Sequence, residues 1–271
     1  MTRTLTDRSA LLRNRRRAGR APALFLHETA IDEVKDRLSF VNKSFTDTSI
    51  VTGLPEPWQA AFPDAQIVED AETLVLEPES GDLILHAMSL HWADDPVGQL
   101  IQCRRALRPD GLIIAVFFGG QTLHQLRTVL AQAESDLRGG LSPRVLPMGD
   151  IRDLGALLQR AGFALPVADS LPLNTSYADP VALMHDLRAM GEANALDARL
   201  RRFTRRDVLM RAAQLYTEAF ATPDGRIPAT FELITLTGWA PSADQPQPLR
   251  PGSATSRLAD ALGTSETPLK D

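Results

Sequence analysis

The sequence predicts an α/β protein built on a doubly wound, mostly parallel sheet, with a helical insert and a closing strand. Three observations carry that expectation. Strand-like and helix-like segments alternate over about 160 residues, which is the pattern of helices laid on both faces of one sheet. Two apolar runs, Leu83-Ile84-Leu85 and the "LIIAVFF" of Leu112 to Phe118, do not alternate with polar residues, so both of their faces must be covered. The chain has 271 residues, 44% of them hydrophobic, which is enough for a sizeable core.

The elements follow in order. Ile31, Val34, Leu38 and Val41 repeat at helical spacing. "TSIVTG" is a short strand ending at Gly53, "PEPWQAAF" a short helix, and "AQIVED" a second short strand closed by Glu69 and Asp70. "GDLILHAMSL" is a buried strand. Val97, Leu100, Ile101 and Leu107 stripe the next helix, which opens at Pro96 with Asp94 as its expected cap. "RPDG" is a turn before the second buried strand. Gly119-Gly120 end that strand, and Thr122 with Gln125 is expected to cap the following helix. Asp150 caps a helix ended by Gly162. "FALPVADSLPLNTSYADP" holds one strand interrupted by prolines. Asp179-Pro180 opens a mainly helical insert at about 179–221, and "ATFELITLTGWAP" closes the sheet. The expected division is one domain over 1–241 and a Pro- and Ser-rich tail over 242–271.

Composition removes several functions. Net charge is −5 and the pI is about 5.6, so overall charge does not mark a nucleic-acid binder. Cys103 alone cannot make a disulfide framework or a Cys-based zinc site. No run reaches the ~18 apolar residues of a membrane span, and no signal-peptide core is visible, so a cytoplasmic location is expected. Charge is uneven, however. Arginines crowd segments 13–20 and 199–206. They are read either as solvated helix faces or as a docking surface for a protein substrate or acidic partner.

The block "SLHWADDPVGQLIQCRRALRPDGLIIAVFFGGQTLHQLR", with "GGLSPR", "DLGALLQRAGFALP", "LMHDLRAMGEANAL", "DGRIPATFELITLTGW" and "QPLRPGSA", resembles class I S-adenosylmethionine (SAM)-dependent methyltransferases. Within that class it resembles the branch of methyltransferase-like complex I assembly factors and their bacterial relatives. The malonyl-acyl-carrier-protein methyltransferase of biotin synthesis is a more distant match. The resemblance runs from about Asp7 to about Ala254. It implies a seven-stranded sheet with the last strand antiparallel, SAM as cofactor, and a link to arginine hydroxylation of a complex I subunit.

The departure from the family pattern is as informative. The class carries a loop of the form D-x-G-x-G-x-G after the first strand, where glycines admit the cofactor to the backbone. This chain has "SIVTGLPEPW", with the single Gly53 and two prolines that lack N–H groups. The stretch between Ile50 and Leu83 accommodates a helix and one strand, so one βα unit is expected to be missing. "EDAETLVL" then fits the end of the third strand, which leaves the second strand and its ribose-binding acid absent.

The site expectations combine these readings. His91 is the candidate catalytic base, at the carboxyl end of a parallel strand where α/β sheets bind ligands. Gly53, Asp70, Ser89, His91 and Trp92 are the candidate cofactor contacts that the resemblance implies. Gly120, Arg188, Glu192 and Tyr216 are the candidate substrate contacts. No metal site is expected, since His86, His91 and Asp94 are too poorly spaced to preorganise three ligands. Two functions stay open: a methyltransferase with a degenerate cofactor loop, or a non-catalytic or hydroxylase-type assembly factor that has lost SAM. The second expects weak or absent SAM binding and Trp58 or Pro57 filling the cleft.

Overall fold

In the computed structural model, which describes residues 4–246 and 263–264, the chain forms a six-stranded sheet in the order β2-β1-β3-β4-β6-β5. Its strands are β1 (Thr48–Thr52), β2 (Gln66–Glu69), β3 (Gly81–Ala87), β4 (Leu107–Phe118), β5 (Ala164–Tyr177) and β6 (Ile227–Trp239). The β2, β1, β3 and β4 ladders are parallel, and β6 runs antiparallel to both β4 and β5. Residues Met1–Pro241 form one compact unit, and Ser242–Asp271 a second. Most of that second unit, with the expected tail and "QPLRPGSA", lies outside the described residues.

The uninterrupted apolar runs have the expected cause. β3 and β4 are adjacent and central, with Ile84 opposite Ile113 and Leu85 opposite Ile114. Leu83, Leu85, Leu112, Ile114 and Val116 join the core on one face. Ile84, Ile113, Ala115 and Phe117 join the core on the other. Helices α2 (Phe25–Phe40), α3 (Pro55–Ala61), α5 (His124–Arg138), α7 (Pro180–Ala189) and α8 (Arg206–Phe220) supply the first face. Helices α4 (Pro96–Ala106) and α6 (Ile151–Arg160) supply the second. An N-terminal helix, α1 (Arg8–Ala18), anchors Ala10 and Leu11 in a smaller cluster with Trp92, Leu146 and Leu196.

Five local expectations are corrected. "EDAETLVL" is not the end of a third strand, and the second strand is not absent: "AQIVED" forms β2, which pairs in parallel with β1, so the sheet is one outer strand short of seven. α4 is capped by Asp95, whose carboxylate accepts from Gly98 N, and not by Asp94, which is held by the backbone N–H groups of Leu5 and Thr6. Thr122 and Gln125 make no capping box. α5 starts at His124, and both side chains bond instead to β6, at Glu232 and Thr230. "RPDG" is a bulge inside β4, with Asp110 at positive φ while the β3 ladder skips from Leu107 to Leu112. The prolines of β5 do not interrupt it. Pro166 falls at a register shift, and Pro172 is tolerated because β5 is the sheet edge.

Candidate functional site

The carboxyl ends of the parallel strands β1, β2, β3 and β4 lie at one edge of the sheet, and α1 reaches those of β1 and β2 through Arg15 and Arg8. Asp70, the residue after β2, is 3% exposed. Arg8 Nη2 donates to its Oδ1 at 2.6 Å, and Arg15 Nη1 donates to Oδ1 and Oδ2 at 2.9 Å each. Burial alone raises the Asp70 carboxyl, but Arg15 and Arg8 more than reverse that and hold it below the usual carboxylate range. The Arg15 guanidinium also lies on the backbone of Gly53, where an added Cβ would overlap its terminal atoms. Gly53 leads through Leu54 to α3, which begins with Pro55 and has no side-chain cap. Trp58 is in the core, not the cleft. Its Nε1 donates to His27 Nδ1 at 3.0 Å and its ring stacks on Phe62. Burial pushes His27 down to about 4.

Beyond β3, Met88 takes positive φ and the chain enters a short 3-10 turn, Leu90–Trp92. Ser89 is buried, with its hydroxyl 3.4 Å from His86 Nδ1. The opposite nitrogen, His86 Nε2, lies 2.8 Å from Gln99 Oε1. That oxygen can only accept, so Nε2 carries the proton and Ser89 donates to Nδ1. His91 and Trp92 then face a cavity of about 250 Å³. Phe118, Phe231, Leu126 and Met148 supply apolar and aromatic wall, and Arg188 and Glu192 come from the end of α7.

Glu192 is set there by backbone geometry. Gly191 takes φ +82 after α7, with Gly191 N donating to Arg188 O and Glu192 N to Leu187 O. This is a Schellman ending, which glycine permits at no steric cost. Glu192 Oε2 accepts from Trp92 Nε1 at 2.7 Å and lies 3.3 Å from His91 Nε2. Burial raises the Glu192 carboxyl, while His91, Arg15 and Trp92 outweigh it and lower it overall. A carboxylate at Nε2 fixes the proton on that nitrogen. His91 Nδ1, on a side chain 3% exposed, is buried without a hydrogen-bond partner. Both Glu192 bonds fall on Oε2, so Oε1 is an open acceptor among the described residues.

The structure thus brings His91, Trp92, Arg188 and Glu192 together. Gly53 and Asp70 sit side by side under Arg15, and Ser89 is committed to His86. Gly120 is not in the cavity lining; it takes φ +53, and the Glu232 carboxylate occupies the space a Cβ would need. Tyr216 is also outside the lining, fully buried, with its hydroxyl donating to Pro228 O. Among the described residues no group of three or more His, Cys, Asp or Glu is arranged to hold a metal ion. Within segment 13–20, Arg15 turns inward while Arg13, Arg16, Arg17 and Arg20 are more open to solvent. Sequence reasoning missed Arg8 and Arg15. Seven residues apart, they share a helix face with buried Leu11 and Ala18, a periodicity hidden by the surrounding arginines.

A methyltransferase-domain family model matches residues 23–115. The zebrafish protein named arginine-hydroxylase NDUFAF5, mitochondrial, is 36% identical over 73% of this chain and 62% of its own length. The chain belongs to the class I SAM-dependent methyltransferase family. The human protein of the same name is 35% identical over 79% of this chain and 62% of its own length. A malonyl-[acyl-carrier protein] O-methyltransferase of Halorhodospira halophila is 33% identical over 64% of this chain and 57% of its own length. The chain therefore spans about 60% of the length of these relatives. The solved YcgJ protein of Bacillus subtilis shares the fold, with a TM-score of 0.50 at 11% identity over 80% of this chain and all of that one. In this family member the sheet has six strands, and the Arg15 guanidinium lies against Gly53 after β1. No helix of the described residues is long and apolar enough to cross a membrane.

Proposed function

We propose that this methyltransferase-fold protein holds an arginine side chain of a protein partner in the His91–Glu192 cavity, and binds SAM weakly or not at all at micromolar concentration. The single observation behind the first part is a pair of unpartnered acceptors on residues lining an aromatic pocket, Glu192 Oε1 and the buried His91 Nδ1. A guanidinium has five N–H donors in a planar fork and no acceptor, so it complements that pair. Trp92, Phe118 and Phe231 supply faces that attract a cation. The volume of about 250 Å³ suits one long side chain, given that cavities of roughly 150 Å³ hold a benzene. The relatives named arginine-hydroxylase support the same chemistry. In this reading His91 Nδ1 is the proton acceptor and Glu192 its orienting carboxylate. The link of the resembling branch to complex I assembly makes a respiratory-complex subunit the proposed partner, and a reducing, cytoplasm-like compartment suits the single buried Cys103.

The residues around Gly53 do not fit SAM bound in the ordinary way. One glycine stands where the family uses three, Pro55 and Pro57 offer no amide donors, and Arg15 covers Gly53. Asp70, at the place of the family's ribose acid, is saturated by two guanidiniums. The second reading is an active SAM-dependent methyltransferase, and the retention of that acid at the end of β2 favours it. Calorimetry with ligand-free protein separates the two. The proposal expects a one-to-one isotherm with N-acetyl-arginine amide and none at low micromolar SAM; the reverse pattern favours the methyltransferase.

A further inference from the structure

The mouth of the cavity poses an electrostatic problem. Arg188 is exposed in the cavity lining, and a groove of about 350 Å³ continues outward from the cavity, sharing Leu126, Met184 and Leu209 with it. This groove is bordered by Arg202 and Phe203. A smaller recess of about 190 Å³ adjoins it through Arg202 and Phe203, and Arg138 and Arg205 line it too. Phe203 is 100% exposed. Arg138, Arg188 and Arg202 carry no ion pair among the described residues, and Arg205 has only Asp207 at 3.6 Å. The nearby acids are already occupied: Glu134 by Arg144 and Ser142, Asp136 by Arg211 and Gln132, Asp7 by Arg199 and Arg201.

The pocket that holds Glu192 therefore opens past Arg188 toward a recess lined by Arg138, Arg202 and Arg205. These guanidiniums disfavour the approach of a bare arginine side chain, since like charges within a Debye length of about 8 Å are poorly screened. A partner whose own flanking charge is negative enters more readily. We infer that the groove and recess dock an extended segment of the partner protein in which the inserted residue is flanked by acidic side chains, with an apolar neighbour on Phe203. The carboxylates meet Arg138, Arg202 and Arg205 in the recess, an arrangement in which guanidiniums bind planar anions bidentately. Phe203 supplies a rigid aromatic anchor at low entropic cost, as at other recognition surfaces. The inference deepens the proposed arginine-binding reading and rests on it only for the identity of the central residue.

The test uses the full chain and four fluorescein-labelled synthetic peptides on a Ser/Gly scaffold with one Leu. They pair a central Arg or Gln with three Glu residues or three Gln residues on each flank. Fluorescence anisotropy is expected to rank the Glu-flanked Arg peptide first. Replacing the flanking Glu by Gln is expected to weaken binding at least tenfold, and to remove most of its salt dependence. Arg202→Glu with Arg205→Glu is expected to produce the same loss, and Phe203→Ser a smaller one. These side chains are exposed, so the variants keep the fold, which circular dichroism checks. Equal binding of Glu- and Gln-flanked peptides, indifference to the double reversal, or no binding by any peptide at millimolar concentration overturns the docking inference. If flank dependence persists while the central Arg and Gln peptides bind alike, the groove stands and the arginine reading of the cavity fails.

Discussion

Arg15 donates from Nη1 to both carboxylate oxygens of Asp70, each at 2.9 Å, although 55 residues separate them in sequence. The contact joins the N-terminal helix to the edge strand β2 and covers the backbone of Gly53. Breaking one side of a buried, hydrogen-bonded pair leaves an uncompensated charge and typically costs about 3–5 kcal/mol. Asp70→Ala, which leaves both guanidiniums without their carboxylate, is expected to lower the urea-unfolding free energy by about 3 kcal/mol, and Arg15→Ala by less, because Arg8 still pairs with Asp70. The double variant is expected to lose much less than the sum of the singles. Additive losses would show that the two side chains do not interact.

Glu192→Gln keeps the shape of the cavity floor and removes its charge. A hydrogen bond to a charged group contributes about 1.5–3 kcal/mol, so N-acetyl-arginine amide is expected to bind on the order of tenfold to a hundredfold more weakly. Unfolding stability is expected to change less, because Trp92 Nε1 can still donate to the side-chain amide oxygen that the substitution leaves in place. An unchanged arginine affinity would remove Glu192 from the binding site.

Tyr216→Phe separates packing from binding. The ring fits unchanged, but Pro228 O loses its donor, which costs about 1–2 kcal/mol. Affinity for the arginine ligand is expected to stay within twofold. A tenfold loss of affinity at unchanged stability would return Tyr216 to the list of ligand contacts.

Much of the fold was legible because it follows from periodicity. Leu83 to Leu85 and Leu112 to Phe118 had to be covered on both faces, and they are. His91 and Trp92 were legible as residues leaving a parallel strand at its ligand-binding end. Glu192 was named from the resemblance, but its coupling to His91 depends on the αL turn at Gly191, which brings residues 101 positions apart together. The sheet order was misjudged at β2, because a four-residue strand carries too little pattern to show which neighbour it pairs with. The caps at Asp94 and Thr122 failed for one reason. Both side chains satisfy distant backbone, the N-terminal strap and β6, and tertiary bonding overrode a locally sound motif.

His27 makes stability depend on pH in a window distinct from that of the carboxylates. Its pKa in the folded protein is depressed to about 4 by burial, against 6.5 for an ordinary histidine. The unfolded chain therefore binds the extra proton first as pH falls, and stability declines between about pH 6.5 and 4. The buried His86 is shifted in the same direction and adds to the decline. Asp70 and Glu192 are lowered instead, so their contribution is kept until the pH falls below the ordinary carboxylate range. The His27 part amounts to about 3 kcal/mol. Urea unfolding at pH 7, 6, 5 and 4.5 is expected to show it, and His27→Gln to flatten the slope. A wild-type slope of zero above pH 4.5 would mean that both histidines titrate normally in the folded protein.

The proposed loss of SAM binding is tested most directly by titrating SAM into purified, ligand-free protein in a calorimeter, beside the Arg15→Ala variant. The wild-type chain is expected to give no one-to-one isotherm at low micromolar SAM, and the variant to bind more tightly than the wild type because the guanidinium no longer covers Gly53 and Asp70 is partly released. A one-to-one isotherm for the wild type in the low micromolar range, unchanged by Arg15→Ala, would contradict the account and leave an ordinary methyltransferase.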